Sequence, residues 1–203
     1  MWMKKLAQVI SFVFHPLLMP TLGLLLLLNS GTYLALLDPA AKRAILFVMA
    51  LGTLFFPLMM IPILYYRKLV TNFQQSTKEE RMIPQLVILI LYIITFVYFV
   101  RLPVNRVIHA YVLATALTLS GVLILGIWYK ICLHSAALGG IAGLIIALIF
   151  LYETPIQGVL MTAFLVGGLT ASSRLATGVQ RPAEVYGGYL LGFVVLLLTL
   201  LVY

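Results

Sequence analysis

Long apolar runs broken by short polar connections set the pattern of this chain. Runs of about 18 or more residues with few charges read as membrane-spanning helices, because lipid offers unpaired amides and carbonyls no partner. Seven such runs can be drawn, over residues 7–28, 44–66, 84–100, 108–128, 135–152, 156–172 and 185–203. The longest polar break, Arg67 to Ile83, is no larger than a loop. No linker, repeat or low-complexity tract divides the chain. Residues 1–203 therefore read as a single integral membrane domain, an all-α polytopic bundle of six or seven transmembrane helices.

Composition agrees with the pattern. Hydrophobic residues make up 64% of the chain and charged residues 9%, with a mean hydropathy of +1.15, which excludes an ordinary water-soluble domain. The opening "MWMKKLAQVISFVFHPLLMP" has the basic start and apolar run of a signal peptide, but the run is long and no small-residue cleavage pattern follows. It reads as a retained first span. The single cysteine, Cys132, excludes an intramolecular disulfide and a cysteine-cluster metal site. No ligand cluster for a metal and no cofactor motif is present, so none is expected.

The net charge of +8 raises nucleic acid as a partner, but the basic residues stand singly or in pairs between spans, without interleaved aromatics. Such loops serve membrane topology and contact with anionic lipids. If the spans alternate, the start, 67–83, 129–134 and 173–184 share a first face, while 29–43, 101–107 and 153–155 share a second. The first face carries Lys4, Lys5, Arg67, Lys68, Lys78, Arg81, Lys130, Arg174 and Arg181, and the second Lys42, Arg43, Arg101 and Arg106. That excess places the first face in the cytoplasm. Cations kept for binding an anion would say nothing about insertion, and setting aside Lys78, Arg81, Lys130, Arg174 and Arg181 leaves the two faces equal.

Three polar clusters share the first face: "STKEERMIP" at 76–84, "WYKICLHSAALGG" at 128–140 and "SSRLATGVQRPAEVYGGYLLG" at 172–192. In the first, Lys78 and Arg81 would meet on one side of a helix, able to reach a common anion, or else form a solvated loop balanced by Glu79 and Glu80. In the second, His134 follows Lys130 by one turn and suits proton transfer, or simply hydrogen-bonds a carbonyl at the interface. Gly139 and Gly143 form a small-residue seam for helix packing. In the third, Pro182 fits a first helical turn with Arg181 at the cap. Glu184 is then either a helix-start carboxylate or part of a site, and Arg174 can offer a fork to phosphate oxygens.

The remaining histidines carry less. His15, with Pro16 and Pro20, marks a kink or interface contact, and His109 beside Arg106 marks a membrane boundary. No carboxylate lies at the centre of a span, which argues against a proton-coupled transporter.

The order and spacing of the three clusters resemble the type 2 phosphatidic-acid phosphatase superfamily over roughly residues 67–203. Its third motif, S-R-x5-H-x3-D before a final span, is similar to Ser173 and Arg174, with Gln180 where the histidine stands and Glu184 where the aspartate stands. The second motif, P-S-G-H, keeps only His134, and the first, K-x6-R-P, keeps Lys78, Arg81 and Pro84 without their spacing. The resemblance implies that Lys78, Arg81 and Arg174 hold a phosphate, that His134 protonates the leaving alcohol, and that Glu184 orients residue 180. It implies no metal or cofactor, and a lipid phosphate or pyrophosphate entering from the surrounding membrane lipids.

Family members use the third-motif histidine as nucleophile, and the amide of Gln180 cannot replace it. Three readings therefore stand. The protein is a hydrolase of a phosphoric monoester or pyrophosphate by a modified route, with His134 as nucleophile or with directly activated water, a pseudo-enzyme that binds without cutting, or an accessory subunit that keeps only the bundle. A bacterial inner membrane is the expected location.

Overall fold

The computed structural model describes residues 14–67, 78–176, 178 and 180–203, with the backbone alone for 78–80. Seven α-helices and a short 3-10 turn at Tyr33–Leu36 lie among them. The α-helices are α1 (Met19–Asn29), α2 (Pro39–Tyr66), α3 (Lys78–Val100), α4 (Arg106–Leu125), α5 (Leu133–Tyr152), α6 (Gln157–Ala176) and α7 (Pro182–Val202). All except α1 are long and apolar enough to cross a membrane. The expected polytopic all-α bundle is observed.

The first span differs from the expected 7–28, whose opening residues lie outside the described set. Turns occupy Phe14 and Pro16–Leu18, and the helix begins only at Met19. Pro20 lies in its first turn, where the missing N–H costs no intrahelical bond. The prolines thus mark the start of α1. The 11 residues of α1 rise about 16 Å, half a hydrocarbon core. The chain 15–33 nevertheless runs the length of α5, because His15 lies against His134 at one end and Tyr33 Oη lies 3.4 Å from Tyr152 Oη at the other.

Helix α2 starts at the Asp38 cap, whose carboxylate accepts from the Ala40 and Ala41 amides. A π turn at Leu51–Phe55 interrupts it, closed by the Phe56 N–H donating to the Leu51 oxygen. Pro57 follows at once and offers no N–H to the Thr53 carbonyl, so a shift in the ladder is the natural accommodation. The bend brings Gly52 against the side chain of Thr95 on α3 and Thr53 Oγ1 to 3.3 Å from Thr21 Oγ1.

Helices α4 and α5 form the centre. In the most apolar stretch of each, 61% of residues are buried, against 17% in α6. Leu27 and Leu28 of α1, Tyr111 of α4, Leu144 and Leu148 of α5 and Leu196 of α7 share one core cluster. The Tyr111 hydroxyl donates to the Pro20 oxygen at 2.8 Å and fixes α1 on α4. Lipid tails are as apolar as leucine, so close packing of small residues has to hold the helices together. It does so most fully between α5 and α7, which run parallel. A methyl at Gly139, Gly143 or Gly192 would strike the backbone oxygens of Tyr189, Phe193 and Ala136, and one at Gly188 would lie 2.6 Å from the Cys132 oxygen. The expected seam at Gly139 and Gly143 is real, and α7 mirrors it.

Candidate functional site

The two expected faces are recovered by side-chain contacts. At the second, Tyr33 meets Tyr152, and the Arg106 guanidinium lies 5.3 Å from the Tyr203 ring centre. His109, read as a boundary residue, sits there with Nε2 2.8 Å from the Phe99 oxygen. At the first face α5 and α7 begin and α6 ends. The Cys132 N–H donates to the Glu184 oxygen at 3.0 Å, locking the start of α5 to the first turn of α7.

Pro182 and Arg181 take the expected places. Arg181 is the extended cap residue with φ −86° and ψ 154°, and its exposed side chain makes no cap bond. Glu184 lies in the first turn of α7, half-buried, where unpaired amides favour negative charge. Its Oε2 is buried without a hydrogen-bond partner.

Arg174 lies in the last turn of α6, a favourable end for a cation. The connection to α7 turns back through Gly178 at φ +71°, a conformation that suits glycine. This return brings Gln180 to Arg174, whose Nε donates to Gln180 Oε1 at 3.1 Å. Both side chains are half-buried. Gln180 therefore aims the guanidinium, and a neutral amide does so without cancelling its charge.

His134 occupies the first turn of α5, half-buried, and meets a residue that the sequence left aside. The His15 ring stands edge-on to it, with centroids 5.8 Å apart and planes at 78°. The Leu17 amide points to His15 Nδ1 at 3.4 Å, a long contact. The available signal was positional, since His15 and His134 each stand at the first-face end of an apolar run. A proline beside His15 drew the reading toward a kink.

Register links these groups to α6. The groove between α1, α5 and α6 is lined by Leu138 and Ile145 on α5 and by Val159 and Val166 on antiparallel α6. Continuing both helices toward the first face sets His134, in the first turn of α5, near the level of Thr170. Gly167 and Gly139 both abut Tyr189 of α7, so the three helices meet there. Around this junction Ser135 Oγ, Thr170 Oγ1 and Tyr189 Oη are buried without hydrogen-bond partners. Orphaned hydroxyls are uncommon inside a packed bundle and concentrate here.

The first cluster lies partly outside the described residues. Lys78 opens α3, but its side chain lies outside the described residues. Arg81 is half-buried on α3, which packs against α2 and α4, whereas α6 packs against α5 and α7. No grouping of three or more metal-ligand side chains occurs among the described residues. Compared with family models, with curated proteins and with solved structures, the chain matches none.

Proposed function

We propose that the protein is phosphatidic-acid-phosphatase-like and binds the phosphate or pyrophosphate head of a membrane lipid where α5 and α7 begin and α6 ends. The observation that carries this reading is the Arg174–Gln180 hydrogen bond, which presents an oriented guanidinium beside two helix amino termini. Fixed guanidinium groups favour phosphate oxygens, and helix starts favour anions. Arg174 is the principal anion contact, with His134 about one turn deeper in the first turn of α5. Lys78 and Arg81 enter the reading through the sequence cluster at 76–84.

The edge-on contact of His15 with His134 favours turnover as a second reading. His134 would attack phosphorus, the bond to the lipid oxygen would break, and neutral His15 would relay a proton from water to that oxygen. Water would then cleave the phosphohistidine, releasing phosphate and restoring the imidazole. Gln180 serves in this scheme as the residue that aims Arg174.

Both readings are tested by binding and by release of inorganic phosphate from phosphatidic acid, phosphatidylglycerol phosphate and undecaprenyl pyrophosphate in purified protein. Binding by the parent that drops about tenfold or more in Arg174→Ala is expected, as befits loss of a charge-assisted bond. Release by the parent that vanishes in His134→Ala establishes turnover. No release by the parent, with release by Gln180→His, identifies a binding protein that has lost its nucleophile. Equal, negligible binding by parent and Arg174→Ala would sink the proposal and leave an accessory role.

A further inference from the structure

We infer that the apolar groove between α1, α5 and α6 holds one hydrocarbon chain of the lipid whose phosphate Arg174 binds, an inference that rests on the function proposed above. The groove has a volume of about 180 Å³. Phe14, Leu22 and Leu26 line it from the α1 side, with Leu138 and Ile145 opposite. On α6 it extends from Val159 to Val166, about 10 Å along the helix axis at 1.5 Å per residue. Its lining is apolar except for Thr162, whose hydroxyl already donates to the Gly158 oxygen at 2.9 Å. A water there would lack the partners it needs, whereas a methylene chain needs none.

The polar residues bordering the groove identify the occupant. The α5 stripe Ile145, Ile141, Leu138 continues at helical spacing to His134, and the α6 stripe Val159, Ala163, Val166 continues to Thr170 and Arg174. Phe14 lines the groove on the third side and His15 follows it directly, in contact with His134. An amphiphile with its phosphate at Arg174 therefore has its tail axis parallel to the three helices, as in the surrounding leaflet. Thr170 Oγ1, wholly buried and without a hydrogen-bond partner, marks the level at which polar groups give way to apolar ones.

Helix α6 suits this role because it is held loosely. Only Gly167, Thr170 and Ser173 are buried along it, while Met161, Phe164, Leu165 and Leu169 face outward. A chain can enter between α1 and α6 without dismantling the α5–α7 seam.

The test uses full-length protein in phosphatidylcholine nanodiscs containing a trace of phosphatidic acid with a diazirine in one acyl chain. Labelled residues are read by mass spectrometry, and inorganic phosphate binding is measured in parallel. The expected result is labelling of Leu22, Leu138, Ala163 or Val166, competed by unlabelled phosphatidic acid and not by more phosphatidylcholine. Ala163→Trp should lower that labelling about tenfold by filling the groove, with inorganic phosphate binding unchanged. A second filling variant, Leu22→Trp, should act alike, which guards against a local failure of α6.

Labelling confined to outward residues such as Phe164 and Leu165, or competed equally by phosphatidylcholine, overturns the groove assignment while phosphate binding leaves the head site standing. Loss of inorganic phosphate binding in the parent itself overturns both.

Discussion

Gln180 stands where the resembling family carries a nucleophile, and the structure gives it different work. Its amide oxygen accepts from Arg174 Nε at 3.1 Å, an interaction that a neutral side chain of this length makes without neutralising the guanidinium. Gln180→Glu should therefore weaken phosphate binding more than Gln180→Ala, since a carboxylate would both aim the arginine and compete with the anion. A loss of about tenfold is expected for alanine and a larger one for glutamate, read by calorimetry with inorganic phosphate. Equal affinities in all three proteins would remove Gln180 from the site. Arg174, Gln180 and Glu184 were legible because a short connection between two helices keeps them close in sequence. The partnership of His15 with His134 was not, because 119 positions separate them and only packing joins their rings.

At the scale of elements, spacing predicts the small-residue seam on α5, and its partner on α7 follows from the same logic. Gly188 and Gly192 accept the α5 backbone where a β-carbon would strike the oxygens of Cys132 and Ala136. Gly192→Ala should destabilise the bundle by about 1–3 kcal/mol, as overpacking at rigid backbone does. Gly168→Ala, on the same connected pair of helices but open on all sides, should leave stability unchanged or slightly raised through helix propensity. Denaturant titration of both variants in detergent reads the difference, and equal midpoints would contradict a backbone-on-backbone seam. Within the described part of the span read at 7–28, Pro16 and Pro20 lack amide hydrogens and set the start of α1 at Met19.

At the scale of the whole molecule, alternation of the spans predicts that every connection reports one of two sides. Cys132 is buried, so reactive cysteines introduced elsewhere should be read against a low background. Trp128→Cys and Arg181→Cys should label from one side of sealed vesicles with an impermeant maleimide, and Asp38→Cys and Glu153→Cys from the other. Labelling of 128 and 181 from opposite sides would break the two-face arrangement on which the site depends. By itself the sequence determined that this is a helical membrane protein with three polar clusters on one side, because the cost of unpaired backbone in lipid makes long apolar runs into helices. It also determined the helix start at Arg181 and Pro182, where a proline leaves few alternatives. Only the tertiary structure decided which clusters meet. Helices in lipid choose neighbours by surface fit, so the glycine seam set α7 against α5 and left α6 at the edge beside a groove.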